Sequence, residues 1–259
     1  MANSLPASYN RRILKAILEF NLIEKGDRVL VGFSGGKDSS LLLYALAVLK
    51  EHRIIRCDIE ALTVDLGFDA PFNLHAMQDF CARLNVPFHV KKTEIAKSIE
   101  KGGRGGPCAI CAHFRRGAMN RFAQENGFNK VALAHHHDDA VETFLMSILY
   151  SGQVRTFLPR TELERTGLVA IRPLVYLREK EIRKAIEFTG YTPVASPCPY
   201  DGKTQRQKVK ELLRSLTKES RWVYTNLAAA MREGSPMELW PPSILPEERG
   251  KMLFKPEHD

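Results

Sequence analysis

The segment SGGKDSS, residues 34 to 40, contains the residue types of a phosphate-binding loop. Two adjacent glycines can adopt backbone angles that other residues avoid, and they let successive N–H groups point at one anion. Where such a loop opens a helix, the positive end of the helix dipole adds to the attraction. The spacing matches neither the Walker pattern nor the GxGxxG fingerprint, so the sequence predicts a phosphate cradle of another kind.

Three of the five cysteines form a second group that could do chemistry. Cys108 and Cys111 form a CxxC pair, and Cys198 follows much later in the chain. A CxxC pair can be a redox disulfide or half of a zinc site, and a lone third cysteine is often a packing residue. Cys57 and Cys81 fall on core positions of a predicted strand and helix, and we interpret them as packing residues.

The segment AHHHDDAVET, residues 134 to 143, brings carboxylates to the junction of a predicted strand and helix. Asp138, Asp139 and Glu142 would either cap the helix and complement its dipole, or take part in proton transfer or metal binding. The three adjacent histidines do not indicate a shared metal ion, because neighbouring residues on such a turn point in different directions.

Composition limits the classes of protein to which this chain can belong. Of its 259 residues, 44% are hydrophobic and 26% are charged, which is typical of globular proteins. The longest apolar run, residues 41–49, is far shorter than the ~20 residues that cross a bilayer, and the polar start lacks a signal-peptide core. Together with the odd number of cysteines, these features predict a cytoplasmic protein that does not contact membranes.

Positive charge is concentrated in two stretches of the chain. Lys and Arg outnumber Asp and Glu by 38 to 30. Residues 91–121 hold eight basic residues against two acidic ones, and residues 203–221 hold seven against two. Either stretch alone would fit a solvated surface, but the two together favour a polyanionic partner such as nucleic acid.

Alternating strands and helices must position these groups. Strands are predicted at 28–33, 57–65, 87–90 and 130–135, with helices between them. This order predicts an α/β fold with an open parallel sheet covered by helices on both faces, and it places the glycine loop at the carboxyl end of a strand, where such sheets bind ligands. No strand is expected after Ser151; helices are predicted there at about 178–189, 203–218 and 220–232. We expect a sheet domain at 1–190, with an N-terminal helix, and a basic helical extension at 191–259.

These motifs resemble the PP-loop, or N-type, ATP pyrophosphatase superfamily, and within it the tRNA 2-thiocytidine synthetase family. The likeness extends from about Val29 to Leu213. The matching pieces, in family order, are SGGKDSS, CAICAHFRRG, AHHHDDAVETFLM, RPL and PCPYDGKTQRQ. The resemblance implies an adenine nucleotide alpha hydrolase-like fold and cleavage of ATP between its α and β phosphates, with Mg²⁺ offsetting the phosphate charge.

The resemblance also implies the roles of individual residues. The residues expected to bind ATP are Ser34, Gly35, Gly36, Lys37, Asp38, Ser39, Thr63, Asp65 and His135, with Asp38 also a candidate Mg²⁺ ligand. The residues expected to hold a 4Fe–4S cluster are Cys108, Cys111 and Cys198. The residues expected in catalysis are Asp139, Cys198 and Arg115. The residues expected to bind tRNA are Arg116, Arg121, Lys203, Arg206, Lys208 and Lys210.

The implied reaction adenylates O2 of a cytosine in a tRNA anticodon loop and replaces that oxygen with sulfur. Three thiolates leave one iron of a cubane without a protein ligand, and that position can hold the sulfur. A cysteine desulfurase or a related carrier would supply the sulfur, and homodimers are usual in this family. Members often have a further cysteine three residues after the third ligand, where this chain has Asp201.

Other functions stay open at this point. Within the superfamily, synthesis of 2-thiouridine, lysidine-type modification of tRNA and sulfonucleotide reduction are alternatives. The 2-thiouridine branch has extra CxxC zinc pairs that five cysteines cannot supply, which favours cytidine. An alternative of another class is a zinc-stabilised module that binds ATP and RNA without turnover.

Overall fold

A computed structural model describes residues 5–68, 74–102, 106–194, 198–200 and 204–232 of the chain. The strands are β1 (Arg28–Gly32), β2 (Asp58–Asp65), β3 (Phe88–Lys92), β4 (Lys130–Ala132), β5 (Arg160–Leu163) and β6 (Leu168–Ile171). The helices are α1 (Ala7–Glu19), α2 (Lys37–Glu51), α3 (Leu74–Arg83), α4 (Ile95–Glu100), α5 (Gly106–Glu125), α6 (His137–Ser151), α7 (Glu179–Ala185), α8 (Gln205–Glu219) and α9 (Trp222–Ala230). A 3₁₀ turn, Ile186–Thr189, follows α7.

The strands form one six-stranded sheet in the order β3-β2-β1-β4-β6-β5. All neighbouring pairs are parallel except β5 and β6, which are antiparallel. The α/β fold with an open, mostly parallel sheet is therefore confirmed. From β1 the chain proceeds through β2 to β3 and then returns to the opposite side of β1 as β4. The gap between β1 and β4 is thus the switch point at which open α/β sheets bind their ligands.

Side chains of β1 alternate between two hydrophobic clusters, one on each face of the sheet. Val29 and Val31 pack with α1, α2, α3 and α7, whereas Leu30 packs with α5. Helix α2 is central to the larger cluster, because every residue from 39 to 49 is buried. The loop that precedes α2 is therefore attached to a rigid element.

The prediction that no strand follows Ser151 is wrong. β6 pairs with β4 in parallel. β5, which precedes β6 in the chain, pairs with it antiparallel, and the turn between them contains Gly167 with a φ of +68°. Both strands are only four residues long; β5 at the sheet edge has no buried residue, and β6 is apolar but too short for its periodicity to identify a strand. Their pairing extends the sheet and places the residues after β6 at its carboxyl edge.

The basic helix α8 packs directly on the sheet domain. Val209 and Leu213 of α8 contact Val141 of α6, and α9 adds Tyr224 and Leu227 to this cluster. The boundary predicted near residue 190 stays a prediction. None of the helices in the described ranges is both long enough and apolar enough to span a membrane.

Candidate active site

A cavity of about 440 Å³ opens at the carboxyl ends of β1, β2, β4 and β6. It combines residues from distant parts of the sequence. The predicted site residues that line it are Ser34, Gly36, Asp38, Ser39, Thr63, Asp65, Arg115, Arg116, His135 and Asp139. The phosphate loop, the end of β2, the cysteine-bearing helix α5 and the start of α6 therefore share one cavity.

The phosphate loop leaves the start of α2 open to an anion. Gly36 is the N-cap of α2 and offers no side-chain cap to the first N–H groups. The Ser34 N–H donates to Ser39 Oγ at 3.2 Å, and Ser39 Oγ donates to the Gly36 carbonyl at 3.1 Å, so the loop is closed on itself. Gly35 has a φ of +76°, and a Cβ there would lie 3.0 Å from Met77 Sδ. Only glycine fits this position without strain.

Asp38 has one carboxylate oxygen that is paired and one that is not. Lys37 Nζ lies 2.9 Å from Asp38 Oδ2. Asp38 Oδ1 is buried and has no hydrogen-bond partner in the described part of the chain, and His136 Nε2 lies 3.8 Å from it. A buried, unpartnered carboxylate oxygen is costly unless a ligand compensates it, and oxygen is the donor that Mg²⁺ prefers. The Asp38 carboxylate therefore has the donor chemistry of a Mg²⁺ ligand.

The end of β2 forms the opposite wall of the cavity. Residues 62–66 line it, and they include the predicted Thr63 and Asp65. The Thr63 hydroxyl donates to the Phe33 carbonyl at 2.5 Å, and Asp65 Oδ1 accepts from the Gly67 N–H at 3.0 Å. This wall is thus held by its own hydrogen bonds.

The three histidines before and at the start of α6 lie in different surroundings, as predicted. His135 lines the cavity, and burial lowers its pKa to about 4, so the ring is neutral at physiological pH. His136 is buried and caps α6 by accepting from the Asp139 N–H. His137 shares a hydrogen bond of 2.6 Å with the hydroxyl of Tyr224.

Asp138 and Asp139 point to different partners. Asp138 faces inward and accepts from the Arg178 guanidinium at 3.1 Å and from the Glu179 N–H at 2.7 Å. Burial alone would raise the pKa of Asp138, but these hydrogen bonds outweigh burial and lower it. Asp139 accepts from the His136 N–H at 2.9 Å and also lines the cavity. Asp139 therefore both closes the capping box and lines the cavity, and its role in proton transfer or metal positioning stays a prediction.

The CxxC pair lies one helical turn before residues of α5 that line the cavity, and neither cysteine lines it. Cys108, Cys111 and Arg115 follow helical spacing, and Ala112 and Arg115 line the cavity. Burial raises the pKa of the Cys111 thiol, the Arg115 charge opposes this, and the neighbouring Cys198 and Cys108 raise it further. Cys108 and Cys198 are thus both within electrostatic range of Cys111.

No disulfide joins any of the five cysteines. Within the described ranges, no three His, Cys, Asp or Glu side chains converge closely enough to hold a single metal ion. The thiolates of a cubane bind different iron atoms, so they need not converge on one point. A metal centre would hold these side chains as thiolates and offset their negative charge.

The other two cysteines are packing residues in the structure. Cys57 and Cys81 are buried, at 6% and 1% exposure. Burial raises the pKa of Cys57 to about 11 and that of Cys81 to about 12, so both remain protonated thiols at neutral pH. Both thiols lie in the core and neither lines the cavity, so neither is placed to be a ligand there.

The predicted tRNA-binding residues occupy different environments. Arg121 and Lys208 are exposed on α5 and α8, and Arg116 lines the cavity. Arg206 is engaged with α6, where it donates to Glu142 at 3.2 Å and to Thr143 at 3.0 Å. Lys210 forms an ion pair with Glu179, whereas Lys203 and Asp201 lie outside the described residues.

Sequence reasoning missed two charged residues at this site. Arg172 is 9% exposed, lines the cavity beyond the end of β6, and donates to the Leu158 carbonyl at 2.6 Å. Arg172 belongs to the RPL motif, one of the pieces that resemble the family, but β6, the strand that places it at the cavity, was not predicted. Glu179, the first residue of α7, lies 3.5 Å from Lys37 of the phosphate loop. The sequence did not indicate this contact, because an acidic residue in the first turn of a helix is common and is explained by the helix dipole alone.

Comparison with known proteins gives concordant results. The model of a family described as a PP-loop domain matches residues 6–216. The chain is 36% identical to a tRNA-cytidine(32) 2-sulfurtransferase of Geobacter metallireducens, over 87% of this chain and 89% of that protein. It is 34% identical to the enzyme of the same name from Legionella pneumophila, over 92% of this chain and 86% of that protein.

One solved structure has a similar fold. The U34-tRNA thiolase NcsA from Methanococcus maripaludis, determined with its 4Fe–4S cluster, superposes with a TM-score of 0.70 and 22% identity. The alignment covers 85% of this chain and 76% of that one.

Proposed function

Since this chain belongs to the PP-loop family and, within it, to the family of the tRNA-cytidine(32) 2-sulfurtransferases, we propose that it is an ATP-dependent enzyme that converts cytidine 32 of tRNA into 2-thiocytidine. One observation carries the proposal. The uncapped phosphate loop and α5, the helix that carries the CxxC pair, border the same cavity. A site that activates an oxygen with ATP and replaces it with sulfur needs both in one place.

ATP would occupy the cavity with its adenine toward the end of β2 and its phosphates at the start of α2. Thr63 and Asp65 lie at the first position, and the open N–H groups after Gly36 lie at the second. Attack of the cytosine O2 on the α-phosphorus would form a new P–O bond and release pyrophosphate. The oxygen then becomes part of a good leaving group, AMP, which departs when sulfur takes its place at C2.

Mg²⁺ would offset the charge of the phosphates. Asp38 Oδ1, which is buried without a partner among the described residues, supports its role as a ligand. Asp139 lies on the same cavity and would handle a proton near the base or help to position the metal. Arg115 and His135 also line the cavity and would contact ATP or the base.

Cys108, Cys111 and Cys198 would hold a 4Fe–4S cluster, which leaves one iron free to bind sulfur. Their mutual electrostatic influence and the contrast with the buried Cys57 and Cys81 support this assignment. A cysteine desulfurase or another carrier would provide the sulfur. The protein would act as a homodimer, as the family resemblance implies.

The tRNA would approach across α5 and α8, which carry the basic stretches of the sequence. Exposed Arg121 and Lys208 would contact phosphates and position the anticodon loop. The target base must leave its stack to reach the cavity. Arg116, on the cavity wall, would lie where RNA and site meet.

The decisive experiment is mass spectrometry of tRNA nucleosides from a strain that lacks this protein. We expect 2-thiocytidine to be missing and to return with the wild-type copy. Cys198→Ala should not restore it, because the cluster would lose a ligand. Cys57→Ala is the matched control, since it removes a thiol that remains protonated in the core.

Two outcomes would contradict the proposal. Retention of 2-thiocytidine in the deletion strain would exclude the reaction and leave lysidine-type chemistry open, and restoration of 2-thiocytidine by Cys198→Ala would exclude a cluster that depends on Cys198. Metal analysis of anaerobically purified protein distinguishes the enzyme from a zinc-stabilised module that binds ATP and RNA, because a cluster requires about four iron and four sulfide per chain. Zinc alone would indicate a binding module.

A further inference from the structure

Glu179 is a buried carboxylate that three cations share. It is 8% exposed. Among the described residues, its oxygens lie 2.8 Å from Arg183 Nη2, 2.5 Å from Lys210 Nζ and 3.5 Å from Lys37 Nζ. The three cations come from α7, from the basic helix α8 and from the phosphate loop. The carboxylate therefore joins the loop to two other elements.

Glu179 is itself fixed in place from two sides. Its N–H donates to Asp138 Oδ2 at 2.7 Å, so the start of α7 is tied to the start of α6. Burial alone would raise the pKa of Glu179, but the hydrogen bonds and charges of Lys210, Arg183 and Lys37 lower it to about 2. The side chain is ionised at every physiological pH.

Charge around this carboxylate is unbalanced. Three cations surround the Glu179 carboxylate, and Asp38 adds a negative charge 2.9 Å from Lys37. Glu142, which also acts on Lys210, is already paired with Arg206. Lys37 and Lys210 keep about a quarter of their side chains exposed, at 26% and 23%. Two partly exposed ammonium groups beside an open helix start attract a further anion, and a phosphate group would compete with Glu179 for both.

We propose that Glu179 is a positioning residue that holds Lys37 and Lys210 at the phosphate loop and competes with pyrophosphate for them. The carboxylate keeps the two ammonium groups in place before ATP binds, and it weakens the hold of the site on the pyrophosphate that the reaction releases. Lys210 thereby joins the phosphate site, and helix α8 is linked to the loop through a single side chain. This inference rests on the proposed cleavage of ATP to pyrophosphate.

The test is titration calorimetry of the full-length protein with inorganic pyrophosphate and Mg²⁺, without tRNA. Glu179→Gln keeps the shape and removes the charge, so pyrophosphate should bind about three- to tenfold more tightly, as expected for one lost competing charge in a partly exposed site. Lys210→Ala should weaken the binding of pyrophosphate, because it removes an attracting charge and leaves Lys37 as the remaining lysine paired with Glu179. A merely structural role of Glu179 would weaken binding in both variants.

Glu181→Gln is the matched control on the same helix. Glu181 is paired with Arg12 of α1 at 2.8 Å, and it does not line the cavity. Its substitution should leave the affinity for pyrophosphate within twofold of wild type. Thermal unfolding of all three variants reports any loss of folded protein.

Steady-state kinetics provide a second measurement. In tRNA-dependent pyrophosphate release, Glu179→Gln should lower kcat and KM for ATP together, because tighter binding of the phosphates slows their release. Weaker or unchanged pyrophosphate binding in Glu179→Gln would overturn the inference, and so would a wild-type protein that does not bind pyrophosphate. Failure of the proposed function is distinguishable, since it would leave tRNA unthiolated while the titration still gives its answer.

Discussion

Two helices begin at the same cavity, and their first turns differ. Helix α2 starts at Gly36 without a side-chain cap, so its N–H groups are open. Helix α6 starts at His136 with a complete capping box, in which His136 accepts from the Asp139 N–H and Asp139 accepts from the His136 N–H. Both carry an aspartate in the first turn, yet only α2 is free to bind an external anion.

The difference separates the tasks of the two strand ends. An open helix start attracts phosphates, whereas a start that already holds its own carboxylates repels them. ATP phosphates are therefore expected at α2, and a side chain that acts on protons or metal is expected at α6. The capping box also limits the motion of Asp139, because its carboxylate is fixed by the His136 N–H at 2.9 Å.

The largest effect is expected from Asp139→Asn. Asparagine can still accept the His136 N–H, so the capping box and the fold should remain, but the charge facing the cavity is lost. We expect thiolation to fall by about 10²- to 10⁴-fold, the usual contribution of a group that transfers protons. Single-turnover assays with purified tRNA measure the loss, and titration with ATP should give a nearly unchanged affinity.

Asp138→Asn is the control within the same turn. Asp138 is bound to Arg178 at 3.1 Å and faces away from the reaction. Removing its charge leaves Arg178 unpaired, so we expect about 2 kcal/mol less stability in chemical denaturation. If Asp138→Asn instead abolished turnover in protein that remains folded, the division of roles within this turn would be wrong.

A substitution in the loop before α2 tests the other helix start. Gly35→Ala places a Cβ at a φ of +76° and 3.0 Å from Met77 Sδ, so the loop must shift. We expect kcat/KM for ATP to fall by roughly 100-fold, or about 2.7 kcal/mol. Gly167→Ala is the matched control, because its φ is +68° but no atom lies within 4 Å of the added Cβ. It should cost about 1 kcal/mol of stability and leave activity intact.

His135, which precedes the cap of α6, predicts a pH dependence of stability. Its folded-state pKa is about 4 and its ordinary value is 6.5, so the unfolded chain binds more protons between these values. Stability should therefore be fully present above pH 6.5, decline as the pH falls toward 4, and show no further His135 contribution below that. His135→Gln should reduce the decline by roughly 2 kcal/mol. Urea denaturation of the wild type and of His135→Gln at pH 7 and pH 4.5 measures the loss of unfolding free energy between the two pH values. An equal loss in the two proteins would contradict the prediction.

The smallest effect is expected on helix α8. Lys208→Ala removes one exposed charge, so binding of tRNA should weaken a few-fold, and its salt dependence should fall by about one unit of slope. Arg206→Ala is the comparison, because Arg206 is bound to Glu142 of α6, which is buried. This variant should lose about 1–3 kcal/mol of stability through the unpaired carboxylate. An unchanged salt slope in Lys208→Ala would place the RNA on another face.

The features that could be predicted from the sequence are those encoded over a few residues. SGGKDSS requires a turn between a strand and a helix, and residues 33–36 form that turn, followed by the first turn of α2. The core roles of Cys57 and Cys81 follow from helix and strand periodicity, and the structure confirms both. β5 and β6 were missed because β5 has no buried face, and the apolar run of β6 is too short for periodicity to separate a strand from other buried segments.

The sequence by itself determined the chemistry that is available here: a glycine loop for phosphates, thiols on a helix, and carboxylates at a helix start. Only the tertiary structure decided which of these groups meet. Asp138 and Asp139 are adjacent and carry the same charge, yet Asp138 pairs with Arg178 and Asp139 lines the cavity. Glu179 pairs with Lys37 and Lys210, although Lys37 is far from it in sequence. The physical reason is that ion pairing and burial depend on strand order and helix packing, which set distances that spacing along the chain does not contain.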